Sequence, residues 1–135
     1  MTFTFHCPLR WSDSDVYGHV NNARFLTLYE EARVALMFVA ARRAGVGTLE
    51  DGIVIRRHEV DYLRPVNFGD DVRIELWMED VRVAQLVVAY RLFGGETGDE
   101  FASRARTWCV PVNLATGRPR RLTRAEREFF TQWRA

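Results

Sequence analysis

Hydrophobic and polar positions follow two different periods along this chain, and the places where the period changes mark its architecture. Residues 3–11 mix aromatic and apolar side chains in the manner of a first strand, and a polar loop follows at 12–21. From about Asn22 to Ala44 the repeat becomes helical, with Phe25, Leu28, Tyr29, Ala32, Leu36 and Val39 recurring every three or four residues. Gly45 supplies a stop in the left-handed conformation. Arg24, Glu30, Glu31 and Arg42 occupy the opposite face, but Val34, Ala35 and Phe38 widen the apolar stripe, which predicts a helix covered on several sides.

Beyond the helix the period is two. A turn at Asp51-Gly52 opens a segment of strand composition from Ile53 to Leu63, limited by Pro65. A second turn at Phe68-Gly69-Asp70 leads into 72–81, where Val72, Ile74, Leu76 and Met78 alternate with Arg73, Glu75, Trp77 and Glu79, the signature of a half-buried strand. Residues 84–93 are apolar on both faces, which predicts a central strand or one covered by a partner subunit. The loop Gly94-Gly95-Glu96-Thr97-Gly98 closes a hairpin to a last strand near 100–113, and Asn113 to Pro119 forms another turn. Thr123 with Glu126 makes a capping box, so a short helix starts near Arg124, and its Phe129, Phe130 and Trp133 require a surface to cover. One strand, a long helix and four strands joined by short turns predict an α+β fold with a largely antiparallel five-stranded sheet against the long helix. Residues 1–135 read as a single domain without repeats or linkers.

Composition narrows the function classes. Hydrophobic residues at 47% argue for a packed core, and 19 basic against 18 acidic residues give no electrostatic reason to expect nucleic acid as a partner. Every basic side chain is arginine, which excludes lysine Schiff-base chemistry and leaves guanidinium forks to grip any phosphate. Cys7 and Cys109 are expected to be reduced thiols in strands, since two distant cysteines build neither a disulfide framework nor a metal knuckle. The N-terminus shows no signal-peptide pattern and no apolar run is long enough for a bilayer, so the expectation is a cytoplasmic protein without a membrane partner.

The densest chemistry lies in Arg10-Trp11-Ser12-Asp13-Ser14-Asp15-Val16-Tyr17-Gly18-His19-Val20-Asn21-Asn22. It sets acids just ahead of a helix start, where backbone N–H groups lack partners and the helix dipole is positive. Such a place holds a carboxylate beside a polarised carbonyl, as hydrolysis of an activated acyl group requires. By itself, an Asp near a helix start is more often a loop or capping acid.

Asp15-Val16-Tyr17-Gly18-His19-Val20-Asn21-Asn22-Ala23-Arg24-Phe25, followed by Tyr29-Glu30-Glu31-Ala32-Arg33, resembles the signature of hotdog-fold acyl-CoA thioesterases of the 4-hydroxybenzoyl-CoA thioesterase superfamily. The likeness is to the bacterial branch that includes long-chain acyl-CoA thioesterases. Val60-Asp61-Tyr62-Leu63-Arg64-Pro65, Gly69-Asp70, Val112-Asn113 and Thr116-Gly117-Arg118-Pro119 continue it in order. The resemblance implies a hotdog sheet curled round the long helix and joined to a second copy in a homodimer or homotetramer. It implies an acyl-CoA substrate, with coenzyme A as part of that substrate and no separate cofactor. Asp15 would be general base or nucleophile, and the Asn22 backbone N–H would meet the thioester oxygen. His19 would orient the acid, donate a hydrogen bond to substrate or help fix the loop, and Gly18 would allow a tight passage of the chain. Tyr17, Phe25 and Tyr62 are the candidates to border the acyl group, a place that such residues fill no better than they fill a core. An acyl-carrier-protein substrate and a non-catalytic acyl-thioester-binding module are the alternatives on the same fold.

The remaining polar residues carry weaker expectations. Asp13 is expected to be structural, and the Asn21 and Asn22 side chains to bond the loop to itself. Glu30 and Glu31 sit roughly 12 Å along the helix from Asn22, too far to act on a thioester carbonyl held at its N–H, so a salt bridge with Arg33 or a dimer contact suits them better. Arg82 and Arg64 are the phosphate candidates for coenzyme A, ahead of Arg56, Arg57 and the Arg118, Arg120, Arg121 cluster. The residues after Arg82 are Val83, Ala84 and Gln85, where the family often has a small residue and a Ser or Thr. His6 and His58 read as strand residues without a second ligand at metal spacing, so no metal is expected.

Overall fold

The computed structural model describes residues 1–47 and 52–135. Strands β1 (Phe3–Cys7), β2 (Ile53–Tyr62), β3 (Val72–Val81), β4 (Leu86–Gly94) and β5 (Glu100–Pro111) form one antiparallel sheet in the order β1-β3-β4-β5-β2. The expected α+β architecture is therefore present, with β4 at its centre. Leu86, Val88, Tyr90 and Leu92 of β4 face the helix in the core, while Val87 and Ala89 are buried on the other face. That accounts for a strand that is apolar on both sides. Asp51, the first residue of the expected Asp51-Gly52 turn, lies outside the described residues.

Two element boundaries differ from the sequence reading. The first strand ends at Cys7 instead of reaching residue 11, because Pro8 brings no N–H to continue the ladder, and Trp11–Asp13 forms a 3₁₀ turn. The fourth strand begins at Leu86, since Arg82 closes the β3–β4 turn by donating its N–H to the Gln85 carbonyl at 2.9 Å.

Helix α1 occupies Asn22–Val34 as α-helix, widens to π-helical geometry over Ala35–Ala40 and regains α geometry at Ala41–Arg43. Phe25, Leu28, Tyr29, Ala32 and Leu36 are buried as the period predicts, but Val39 is 45% exposed. The wider turns change the phase, so that the buried position after Leu36 and Met37 is Ala41. Val34 is also exposed, and the far face of the helix is open within the chain, not covered on several sides. Gly45, at φ 81°, ends the helix: its N–H reaches the Arg42 carbonyl at 2.9 Å, and the Val46 N–H reaches that of Ala41 at 2.8 Å. This is the paired bonding of a Schellman cap.

Polar groups cross the interface between helix and sheet. Arg33, only 6% exposed, donates to the Tyr90 hydroxyl at 3.0 Å and pairs with Glu30 at 3.6 Å, the salt bridge anticipated from spacing. Burial works against the Arg33 charge, and Tyr90 and Glu30 more than offset it. Burial also pushes the Tyr90 phenol up to about 12, so it stays protonated beside the guanidinium. Tyr29 donates to Ser103 Oγ at 2.6 Å, and Ser103 in turn donates to the Asp61 carbonyl at 2.8 Å. Cys7 and Cys109 are free and buried in β1 and β5, each thiol raised to about 11 by burial.

Helix α2 (Arg124–Thr131) starts with the expected capping box: Thr123 Oγ1 accepts the Glu126 N–H at 3.1 Å and Glu126 Oε1 accepts the Thr123 N–H at 2.7 Å. Phe130 is fully buried, and beyond the helix Trp133 stacks edge-on to Phe3. Among the described residues, no helix is long and apolar enough to cross a membrane. Glu126 is also fully buried and takes a two-pronged contact from Arg120 at 2.9 and 3.1 Å. Glu126→Ala should therefore cost about 3 kcal/mol by removing the carboxylate from that guanidinium as well as breaking the cap, read as a lower urea midpoint with an unchanged m-value.

Candidate active site

The loop ahead of α1 is shaped by two aspartates with different tasks. Asp13 is 1% exposed, accepts the Arg10 N–H at 2.8 Å and the Arg10 guanidinium at 3.2 Å, and through its carbonyl takes the Asn21 N–H at 2.8 Å. Burial alone would raise its carboxyl, but the Arg10 amide and guanidinium outweigh burial and hold it below the usual aspartate range. This ties the loop's entry to its exit, a structural part as expected.

Asp15 begins a tight turn. Its Oδ1 accepts the Tyr17 N–H at 2.8 Å and the His19 N–H at 3.1 Å, its own N–H donates to the His19 carbonyl at 2.7 Å, and its carbonyl takes the Gly18 N–H at 3.2 Å. Gly18 has φ 77°, and a Cβ there would meet nothing within 4 Å. Glycine is required by the backbone angle, not by crowding. The second carboxylate oxygen of Asp15 has no hydrogen-bond partner among the described residues, so the loop anchors one oxygen and leaves the other available.

At the helix start, Asn21 is the N-cap: its Oδ1 accepts the Ala23 N–H at 2.9 Å and its carbonyl takes the Arg24 N–H at 2.8 Å. The Asn22 N–H, first in the helix, meets no acceptor among the described residues. Asp15, His19, Asn22, Phe25, Tyr62 and Arg64 line one cleft of about 350 Å³, together with Val20, Leu63 and Pro65. The Phe25 and Tyr62 rings meet edge to face at 5.1 Å on its wall.

A strap formed by the residues after β2 positions this loop. Val20 donates its N–H to the Val66 carbonyl at 2.7 Å and Phe68 donates to Gly18 at 2.9 Å, while Trp11 stacks edge-on against Phe68. Asp70 holds the strap, its Oδ2 accepting the Asn67 and Gly95 N–H groups, each at 3.0 Å. A bulge on β5 opposite Leu92/Phe93 leaves the Ala102 carbonyl to accept from Leu63 at 2.8 Å and Arg64 at 3.1 Å, fixing Arg64 at the rim. The Arg64 side chain forms no ion pair among the described residues. Leu63, Pro65, Val20 and the Asp70 anchor were not singled out from sequence as site residues. The Gly69-Asp70 motif was the available signal for the last.

Other candidates lie elsewhere. Tyr17 is 80% exposed and does not line the cleft. Arg82 pairs with Asp80 at 2.6 Å, in the turn next to Val81, whose sheet neighbours run through Leu86 and Cys109 to Ile55. Tyr62 is seven positions along β2 from Ile55, about 23 Å at strand rise, so one chain does not bring Arg82 to the cleft. Glu30 and Glu31 are absent from the lining. A larger groove of about 600 Å³ crosses the other face of the sheet, but its Arg104 and Arg106 are committed to Asp61 and Glu79. Among the described residues, no three His, Cys, Asp or Glu side chains cluster to hold a metal ion.

The family described as the thioesterase-like superfamily matches residues 9–132. The chain belongs to that superfamily. It is a thioester hydrolase with the hotdog fold. A relative named 1,4-dihydroxy-2-naphthoyl-CoA hydrolase, from Gloeothece citriformis, is 28% identical over 133 residues, spanning 97% of this chain and 90% of the relative. A Thermus thermophilus thioesterase whose structure was solved with coenzyme A and zinc is 30% identical, with a TM-score of 0.79 over 96% of this chain and 92% of that one. A Synechocystis 1,4-dihydroxy-2-naphthoyl-CoA thioesterase shares the fold at a TM-score of 0.80 with 18% identity, covering 97% of this chain and 96% of that one. The curated relative is named for a bicyclic aromatic acyl group, whereas the sequence motif had suggested a branch that includes long-chain enzymes.

Because the folded Asp13 carboxyl is held below its ordinary value, its contribution to stability is full above that value and is lost as pH falls through the depressed one. Urea midpoints followed down through the acid range should show this loss in the native protein, and Asp13→Asn should flatten that limb.

Proposed function

We propose that this chain hydrolyses an acyl-CoA thioester, with the Asp15 carboxylate and the Asn22 N–H as its reacting pair. The observation that carries the reading is that Asp15 and Asn22 line one cleft and that each keeps a hydrogen-bonding position without a partner among the described residues. As the thioester carbonyl becomes tetrahedral, its oxygen gains negative charge. A preorganised N–H aimed at it is worth roughly a hundredfold in rate or more. Asp15 then takes a proton from water while the hydroxide adds to the carbonyl carbon, the C–S bond breaks, and the proton goes to the departing thiolate. Direct attack by Asp15, with water cleaving the resulting anhydride, is the other route that the same geometry supports.

His19 borders the cleft through its loop position and supports the turn through its backbone bonds to Asp15. Arg64, at the rim without an ion-pair partner among the described residues, is the residue proposed for a coenzyme A phosphate. The edge-to-face Phe25 and Tyr62 wall suits a flat acyl group, in keeping with the aromatic substrate in the curated relative's name. A second copy is proposed to pair along the β2 edge, where Val54, Ile55, Tyr62 and Leu63 are exposed beside a strand that has β5 as its one neighbour.

Asp15→Asn keeps an oxygen for the Tyr17 and His19 N–H groups, so the fold should persist while turnover of a good acyl-CoA substrate falls at least about a hundredfold. Unchanged turnover in a thiol-release assay would remove Asp15 from the mechanism. Arg64→Ala should raise KM for acyl-CoA several-fold with kcat within twofold, an effect that added salt diminishes. A panel of aromatic and aliphatic acyl-CoA esters should show higher kcat/KM for the aromatic members. Equal or better use of long aliphatic chains would overturn that preference.

A further inference from the structure

Two peptide planes flank the Asn22 α-carbon, and they carry four polar groups. The Asn21 carbonyl takes the Arg24 N–H at 2.8 Å, and the Ala23 N–H goes to Asn21 Oδ1 at 2.9 Å. The Asn22 carbonyl accepts the Tyr62 hydroxyl at 2.8 Å. The Asn22 N–H meets no acceptor among the described residues, and Asn22 lines the cleft that holds Asp15. The Asn22–Ala23 peptide is thus clamped at both ends, at its N–H by the cap residue beside it and at its carbonyl by a phenol from a strand 40 residues along the chain.

We infer that Tyr62 is a positioning residue for the thioester hydrolysis proposed above: its hydroxyl holds the first turn of α1 so that the Asn22 N–H stays aimed at the developing oxyanion. The inference rests on that reading of the site. A free helix terminus frays, and the direction of its first N–H follows the backbone angles of its first residue. Asn21 fixes those angles from within the helix only. Tyr62 ties them to the sheet, and its ring is in turn fixed edge-on against Phe25 at 5.1 Å, one turn further along the same helix. The same ring lines the cleft, so an acyl group lying against it touches the element that aims the amide. The benefit is realised when charge develops on the carbonyl oxygen, so it belongs to kcat more than to ground-state binding.

The test is Tyr62→Phe, which keeps the ring, the Phe25 contact and the cleft wall. The substitution removes the donor itself, so no polar group is left unpaired on the Tyr62 side. Loss of one hydrogen bond of this kind predicts a fall in kcat of about fivefold to tenfold. KM and the Kd of a non-hydrolysable thioether analogue of the acyl-CoA should stay within twofold, with melting temperature and oligomer size unchanged. Replacing Tyr62 with 3-fluorotyrosine, which keeps the ring and restores a hydroxyl, should return kcat to the native level even if the Phe variant proves less stable. A kcat for Tyr62→Phe equal to that of the native protein, or a rise in KM alone, overturns the positioning role, as does failure of the fluorotyrosine to restore kcat. Asp15→Asn is assayed in parallel. If it abolishes turnover while Tyr62→Phe does not slow it, the positioning inference fails and the proposed role of Asp15 stands; if Asp15→Asn turns over normally, the proposed reacting pair of Asp15 and Asn22 fails.

Discussion

A helix that buries one face against a sheet still has to begin somewhere, and its first backbone N–H groups find no partner inside the helix. This chain begins its long helix beside a polar loop instead of on open surface. The cap residue Asn21 takes two of these N–H groups, the loop brings Asp15 alongside, and the Asn22 amide meets no acceptor among the described residues. The rest of the site serves that arrangement. Asp13 and Arg10 close the loop at its base, the strap from Arg64 to Asp70 holds it from one side, and Tyr62 holds the helix from another. A carboxylate and an amide of this kind would be ordinary surface groups if any of these supports let them turn to solvent.

The interior is correspondingly more polar than a helix packed on a sheet needs to be for stability. Arg33, Tyr90, Tyr29 and Ser103 lie between α1 and the sheet, satisfied by one another and by Glu30 and the Asp61 carbonyl. Satisfied polar groups of this sort fix the register of helix against sheet more sharply than apolar contacts, which tolerate sliding. The link from Tyr29 through Ser103 ends on Asp61, the residue before Tyr62. The same helix is thus tied to the end of β2 at two points, one buried and one at the cleft.

Much of this was legible from pattern. Alternation along 72–81, the two-faced apolar strand, the Thr123/Glu126 cap and the Gly45 stop all follow from local rules that depend on residues within one or two turns of each other. The acid ahead of a helix start was equally local, and so was the Glu30–Arg33 pair. The errors have physical causes as well. Pro8 ended the first strand early, and the π-helical stretch shifted the buried phase from Val39 to Ala41. Arg82 looked as good a phosphate ligand as Arg64 because a sequence carries no distance across a sheet.

Local spacing therefore settled which segments are strands and helices, where the helix starts, and which acid stands ahead of it, because those depend on neighbours in the chain. Which oxygen of Asp15 is free, which amide of the first turn is unused, and which of the arginines reaches the cleft depend on contacts made by β2, the strap and the Ala102 bulge. Those segments follow the loop by 30 residues or more, and their register against it is set by packing of the whole sheet on the helix. No local rule carries that information, because a shift of one residue along β2 would turn Tyr62 to the other face of the sheet and leave every short-range pattern unchanged.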